Sequence, residues 1–297
     1  MQLFRAPHTA ARTLAAPLIL LALAGGSAHA DAIPTDAKRI VSIGGTVTEI
    51  IYALGDDARI VAVDSTSTYP ASAADKPDVG YIRQLSAEGV LSQKPDLIIA
   101  EAGAGPADAM AILKASGIPI VTIPTPPEAG AIAGKIRAVG AAVGKADAAD
   151  KLAAEVDAAL KTLEARVSAL PEPKKRVLFA LSLANGRVMA AGTDTLADAI
   201  IRLAGGVNAA SGISGYKPLS DEAVIAAAPE VVLVMDNPAM HLTAEQAFAL
   251  PALQSSPAGK AKAFIAMDGL YLLGLGPRTP QAALDLAAKL YPDAVKP

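Results

Sequence analysis

The strongest chemistry in this chain comes from a tyrosine and an arginine two positions apart, Tyr81 and Arg83, in the run Gly80-Tyr-Ile-Arg-Gln-Leu-Ser-Ala-Glu88. If the run is extended, residues two apart share a face, so both side chains point one way and Ile82 points elsewhere. A phenol is a hard oxygen donor with an ordinary pKa of about 10. Ferric iron and a neighbouring guanidinium both favour its phenolate form. Tyrosine is one of the axial ligands proteins use for haem iron, and a guanidinium suits carboxylates such as the haem propionates. The same residues equally allow a half-buried loop aromatic beside a solvated charge.

Other reactive constellations are missing. Of the three histidines, His8 and His29 lie in the N-terminal segment, and His241 stands alone in a polar loop after Pro238. One imidazole does not make a zinc site, and a solvated surface residue is the simpler account of it. There is no G-x-S-x-G nucleophile elbow, and Gly44-Gly45 lacks the spacing of a phosphate-binding loop. A tight strand-to-helix turn facing a cleft explains those glycines better. Nothing in the chain points to an enzyme.

The elements that must position Tyr81 and Arg83 come in two copies. Residues 85–103 (LSAEGVLSQKPDLIIAEAG) return as 219–237 (LSDEAVIAAAPEVVLVMDN). In each copy a serine, Ser86 or Ser220, can cap a helix that carries Glu88 or Glu222 in its first turn. Pro95 or Pro229 then ends that helix before a buried apolar strand. A lone tyrosine, Tyr81 or Tyr216, sits just upstream of each copy.

Around these copies the chain alternates. A strand at 39–43 runs into Gly44-Gly45, Thr46 or Thr48 opens a helix through Leu54, and Gly55 stops it. Strands follow at 59–63, 97–100 and 118–123, with a helix at 107–116. This alternation predicts a parallel sheet with helices on both faces. Residues 126–170 are Ala-rich, with Lys135, Arg137, Lys145, Lys151, Glu155, Asp157, Lys161 and Glu164 spaced around apolar positions. They predict one or two helices, the last long enough to be a strut between lobes. After Pro171-Glu-Pro173 the strand pattern restarts at 176–182, with a helix at 194–204, a strand at 263–267 and a terminal helix at 281–290. The fold class is therefore α/β, two Rossmann-like lobes with parallel sheets joined by a long helix.

Composition narrows the setting. Arg5 and Arg12, the apolar run 14–24 and Ala28-His-Ala30 read as a cleavable export signal. No later segment is long and uncharged enough to span a bilayer. The chain has no cysteine, which leaves no lipid-anchor cysteine, disulfide or thiolate. In a Gram-negative cell this predicts the periplasm. The formal net charge of −3 becomes more negative once Arg5 and Arg12 are removed, which argues against nucleic acid as a partner. With no Trp and four Phe, the cores must be mainly aliphatic, so an aromatic in a loop is hard to dismiss as packing.

The run 80–88, with Asp64-Ser-Thr-Ser-Thr-Tyr-Pro70 before it and Lys94-Pro-Asp-Leu-Ile-Ile99 after it, closely resembles periplasmic haem-binding proteins of ABC-type haem importers. The resemblance extends over the mature chain through Ala191-Gly-Thr-Asp-Thr195, Gly215-Tyr-Lys-Pro-Leu-Ser220 and the run 268–279. It implies that Tyr81 is the axial ligand of the iron of haem b, carried as Fe(III), and that Arg83 assists it. It also implies that Glu88 and Glu222, one per lobe, dock onto arginines of a permease dimer served by its ATPase. An outer-membrane haem receptor would act upstream, and the carrier would be a monomer. Some relatives bind two stacked haems through a second-lobe histidine. The stretch 182–187 has none, which favours one five-coordinate haem, although Tyr216 could face the cleft from the other lobe. Tyr216 either packs on the porphyrin or anchors its own loop. Arg278 either reaches a propionate or is solvated at a helix start, and Arg187 is a weaker candidate. The expected divisions are a signal peptide at 1–30, a first lobe at 31–125, a helical linker at 126–172 and a second lobe at 173–297. A siderophore or corrinoid binder would share the fold and the docking glutamates.

Overall fold

The computed structural model describes residues 1–3, 34–184, 186–236 and 241–295. The expected export signal, with Arg5, Arg12 and the 14–24 run, lies outside the described residues, as do Asn185 and Pro238. From residue 34 the chain runs β1 (Ile40–Ile43), α1 (Gly45–Ala53), β2 (Ile60–Val63), α2 (Ala87–Ser92), β3 (Leu97–Glu101), α3 (Ala107–Ala115) and β4 (Ile120–Ile123). Two helices follow, α4 (Ile132–Val143) and α5 (Ala146–Ser168). The second half comprises β5 (Arg176–Ala184), β6 (Arg187–Ala191), α6 (Leu196–Leu203), β7 (Val207–Asn208), β8 (Tyr216–Leu219), α7 (Asp221–Ala227) and β9 (Val231–Asp236). It closes with α8 (Ala244–Phe248), α9 (Pro251–Ser255), α10 (Pro257–Ala261), β10 (Phe264–Asp268), α11 (Gly269–Leu273) and α12 (Thr279–Leu290).

The first sheet has the order β2-β1-β3-β4 and every pair in it is parallel. Successive side chains of a strand face opposite ways. Ile40 accordingly enters a core with Val47, Ile50 and Ile136, while Val41 and Ile43 enter another with Val90, Ile98 and Leu113. The second sheet has the order β10-β9-β5-β6-β8, with β7 beside β5. Here the expectation of a parallel sheet needs correction, because the sheet is mixed. β10, β9 and β5 are parallel, whereas β6 is antiparallel to β5 and β8 to β6. Only residues 185–186 join β5 to β6, and a parallel return needs a crossover of about a dozen residues or more.

The Ala-rich segment forms two helices, and α5 joins the lobes. Its 23 residues span about 35 Å. Ala149, Ala153 and Val156 are buried in the first lobe's core and Leu163 in the second's. Lys135, one of the charges of this segment, is only 4% exposed.

The start of α1 also differs from expectation. The helix begins at Gly45 without a side-chain cap from Thr46 or Thr48. Its first amides are satisfied from neighbouring strand ends: Gly44 donates to Asp64 Oδ1 (2.7 Å), Gly45 to Thr66 Oγ1 (3.0 Å) and Thr46 to Glu101 Oε1 (3.1 Å). Gly44 has φ +107°, and a Cβ there would strike the Glu101 side chain. Both the turn and the packing require glycine.

Candidate functional site

Tyr81 sits on a loop stitched on both sides to the carboxyl ends of the first sheet. Upstream, Val79 N–H donates to Val63 O (2.9 Å) and Ser65 N–H to Gly80 O (3.0 Å). Downstream, Gly105 N–H donates to Ile82 O and Leu85 N–H to Gly105 O, each at 2.9 Å. Gly80, at φ +96°, turns the chain just before the tyrosine, and its amide is held by Asp78 Oδ1 at 2.7 Å. Loops at the carboxyl ends of parallel strands are where α/β proteins place ligands.

The run through Arg83 is not extended. Gln84 N–H donates to Tyr81 O at 2.7 Å, which closes a turn over 81–84. Strand alternation therefore does not place Tyr81 and Arg83 on one face. The positive charge of Arg83 instead acts on the phenol of Tyr216, the first residue of β8 in the second lobe. Partial burial pushes the Tyr216 pKa up and Arg83 only partly offsets it, so this phenol is held protonated. Tyr81 and Tyr216 are 42% and 40% exposed, and neither hydroxyl has a hydrogen-bond partner among the described residues.

Arg278 is not simply solvated at a helix start, because it ties the lobes together. Its Nη2 donates to Glu49 Oε2 at 2.8 Å, and its guanidinium lies 3.5 Å over the ring of Tyr69 and 5.1 Å from that of Tyr271. Glu49, on α1, is 5% exposed. Around this pair, Thr46 Oγ1 donates to Gly274 O (2.8 Å), and Lys135 Nζ donates to Gly274 O (3.2 Å) and Leu275 O (3.1 Å). Burial pushes the Lys135 pKa down, opposed by Glu101 and Glu49. Burial likewise pushes Glu101 up, opposed chiefly by Lys135. Sequence reasoning missed Glu49, Glu101 and Tyr69. A carboxylate inside the apolar run of α1 was the one available signal.

The glutamate pair falls where the repeat places it. Ser86 Oγ accepts from Gly89 N–H (3.1 Å) at the start of α2, and Ser220 Oγ accepts from Ala223 N–H (3.2 Å) at the start of α7. Glu88 and Glu222 are exposed in the two first turns. The Glu222 pKa is lowered by its own backbone amide and then by the Ser220 hydroxyl. Arg187 is exposed at the start of β6.

His241 is exposed and pairs with Asp236 Oδ1 at 2.7 Å. Among the described residues no three His, Asp or Glu converge as a metal site. Two cavities lie away from Tyr81. One, of about 500 Å³, is a groove between α5 and α12, and the other, of about 540 Å³, lies beside His241 and Leu183. Tyr81, Arg83 and Tyr216 are all exposed.

Comparison with known proteins agrees with this fold. Residues 40–270 match the family described as periplasmic binding protein. The structure of the periplasmic heme-binding protein RhuT from Roseiflexus sp. RS-1, in apo form, superposes with a TM-score of 0.82 at 41% identity, over 87% of this chain and 99% of that one. The periplasmic heme-binding protein BhuT in complex with two hemes gives 0.80 at 39% identity, over 85% and 97%. A vitamin B12-binding protein of Vibrio campbellii (strain ATCC BAA-1116) is 30% identical over 66% of this chain and 70% of its own length.

Proposed function

The chain belongs to the periplasmic binding protein family, and on that premise we propose that it captures ferric haem between its lobes and delivers it to an ABC-type permease. The observation that carries this is Tyr81, a half-exposed phenol with a free hydroxyl on a loop pinned to the ends of β2 and β3. It supplies a hard oxygen ligand to the iron of the haem cargo. A pinned loop holds that oxygen in place before the ligand arrives, which limits the entropy lost on binding. Arg83 and Tyr216, close enough for the guanidinium charge to act on the phenol, contact the macrocycle or its carboxylates. Likeness to two haem-binding proteins supports the choice of ligand.

The remaining parts of the proposal follow from this role. The protein acts in the periplasm after removal of residues 1–30, with lobes at 31–125 and 173–297 and the helical region 126–172 between them. Glu88 and Glu222 present one carboxylate per lobe to a two-fold permease. One haem, five-coordinate through Tyr81, is the expected load, and the carrier leaves its cargo chemically unchanged.

Adding ferric haem to the purified protein and recording its absorption spectrum tests the reading. The expected result is a high-spin tyrosinate-type spectrum at one haem per chain, lost in Tyr81→Ala. An unchanged spectrum in that variant defeats the ligand assignment. A second reading, a corrinoid binder, is favoured by the Vibrio campbellii relative. Binding of cyanocobalamin in place of haem would select it.

A further inference from the structure

Three of the six tyrosines are exposed: Tyr69 (43%), Tyr81 (42%) and Tyr216 (40%). The hydroxyls of Tyr271 and Tyr291 are taken by Asp285 and by Gly205 O, at 2.8 Å each. Tyr69 shares the free hydroxyl of Tyr81 and Tyr216 and lies on the neighbouring loop, yet nothing above gives it a role.

The loop of Tyr69 is built to be rigid. Asp64, 1% exposed, accepts from Gly44 N–H (2.7 Å), Thr66 N–H (3.1 Å), Thr66 Oγ1 (2.7 Å) and Ser67 Oγ (3.0 Å). The Ser65 amide then bonds this loop to the Tyr81 loop. From the other lobe the Arg278 guanidinium lies over the ring at 3.5 Å, and Glu49 fixes that guanidinium in turn. One face of the ring is covered by this guanidinium, and the residue is still 43% exposed. A cation over one face of an aromatic ring holds its orientation as well as its position.

We propose that Tyr69 is a third ligand-contacting tyrosine, a flat wall backed by Arg278 against which the planar tetrapyrrole packs. This rests on the haem reading above and deepens it. Tyr81 would select for the iron, and Tyr69 for the shape of the ring around it. Arg278 is then a positioning residue that acts through Tyr69.

The test compares ferric haem with metal-free protoporphyrin IX, which offers Tyr81 no iron. Tyr69→Ala should weaken both by about five- to ten-fold, the scale of a lost aromatic contact, and leave the tyrosinate-type bands of bound haem in place. Tyr69→Phe keeps the ring and should recover most of that affinity. Tyr81→Ala should weaken haem far more than the metal-free ring. If Tyr69 only shields Arg278, Tyr69→Ala will melt at lower temperature while binding both probes as the wild type does, which overturns the proposal alone. If the wild-type protein takes up neither tetrapyrrole, this proposal and the haem reading fall together.

Discussion

Arg278 illustrates how little a residue's neighbours in sequence say about its work. Gly276-Pro277-Arg278-Thr279 reads as a helix start with a free cation, whereas folding brings it against Glu49 on the other lobe. Glu49 Oε1 and Arg278 Nε are both buried without partners, so this ion pair is held by one strong contact rather than a full network. Removing one member of a buried pair strands the other charge and typically costs about 3–5 kcal/mol. Arg278 keeps a quarter of its side-chain exposure, which places Arg278→Ala at the low end, about 3 kcal/mol by that scale. Replacing both members together, as in Glu49→Leu with Arg278→Met, should cost much less. Urea denaturation of the two variants separates these outcomes. Tyr69 escaped sequence reasoning for the same reason: its partner lies more than two hundred positions away along the chain.

At the level of elements, the strand-and-helix pattern was legible because it is local. Ser86 and Ser220 cap their helices as their positions in the repeat require. The errors occurred where a terminus is completed by distant groups, as at α1, or where a short connection changes strand direction, as at β6. The start of β5 shows how such distant groups tune an element. Glu230 accepts from Arg176 N–H (3.0 Å) and Lys175 Nζ (3.1 Å). Burial works against its charge, but these hydrogen bonds prevail and hold its pKa below the ordinary carboxylate value. A lowered carboxylate stabilises the fold fully above its unfolded value, and that contribution disappears as pH falls through the folded one. Glu230→Gln should therefore melt earlier than the wild type at pH 7. The gap should close as pH drops below about 4.5. Thermal melts at pH 7 and pH 3.5 measure it.

Across the whole molecule, the connections between the lobes include α5, which enters both cores, and the contact of Thr46, Glu49 and Lys135 with the 274–278 segment. They hold Glu88 and Glu222 on two lobes of one framework. Charge reversal at either, Glu88→Lys or Glu222→Lys, should reduce transport by a reconstituted permease while haem titrations stay at the wild-type value, because exposed docking charges act mainly on encounter and orientation. Loss of haem binding in those variants would remove the docking role. Hydrophobic period, caps, glycine stops and the repeated Ser-x-Glu segment are short-range signals. They were enough to establish an α/β chain of two lobes, the strut, and the paired glutamates. The antiparallel β6, the burial of Lys135 and the stacking of Arg278 on Tyr69 were settled by folding. The direction of β6 follows from a two-residue connection, whereas the burial of Lys135 and the stacking of Arg278 on Tyr69 depend on contacts between segments far apart in the chain, which leave no periodic trace in either segment alone.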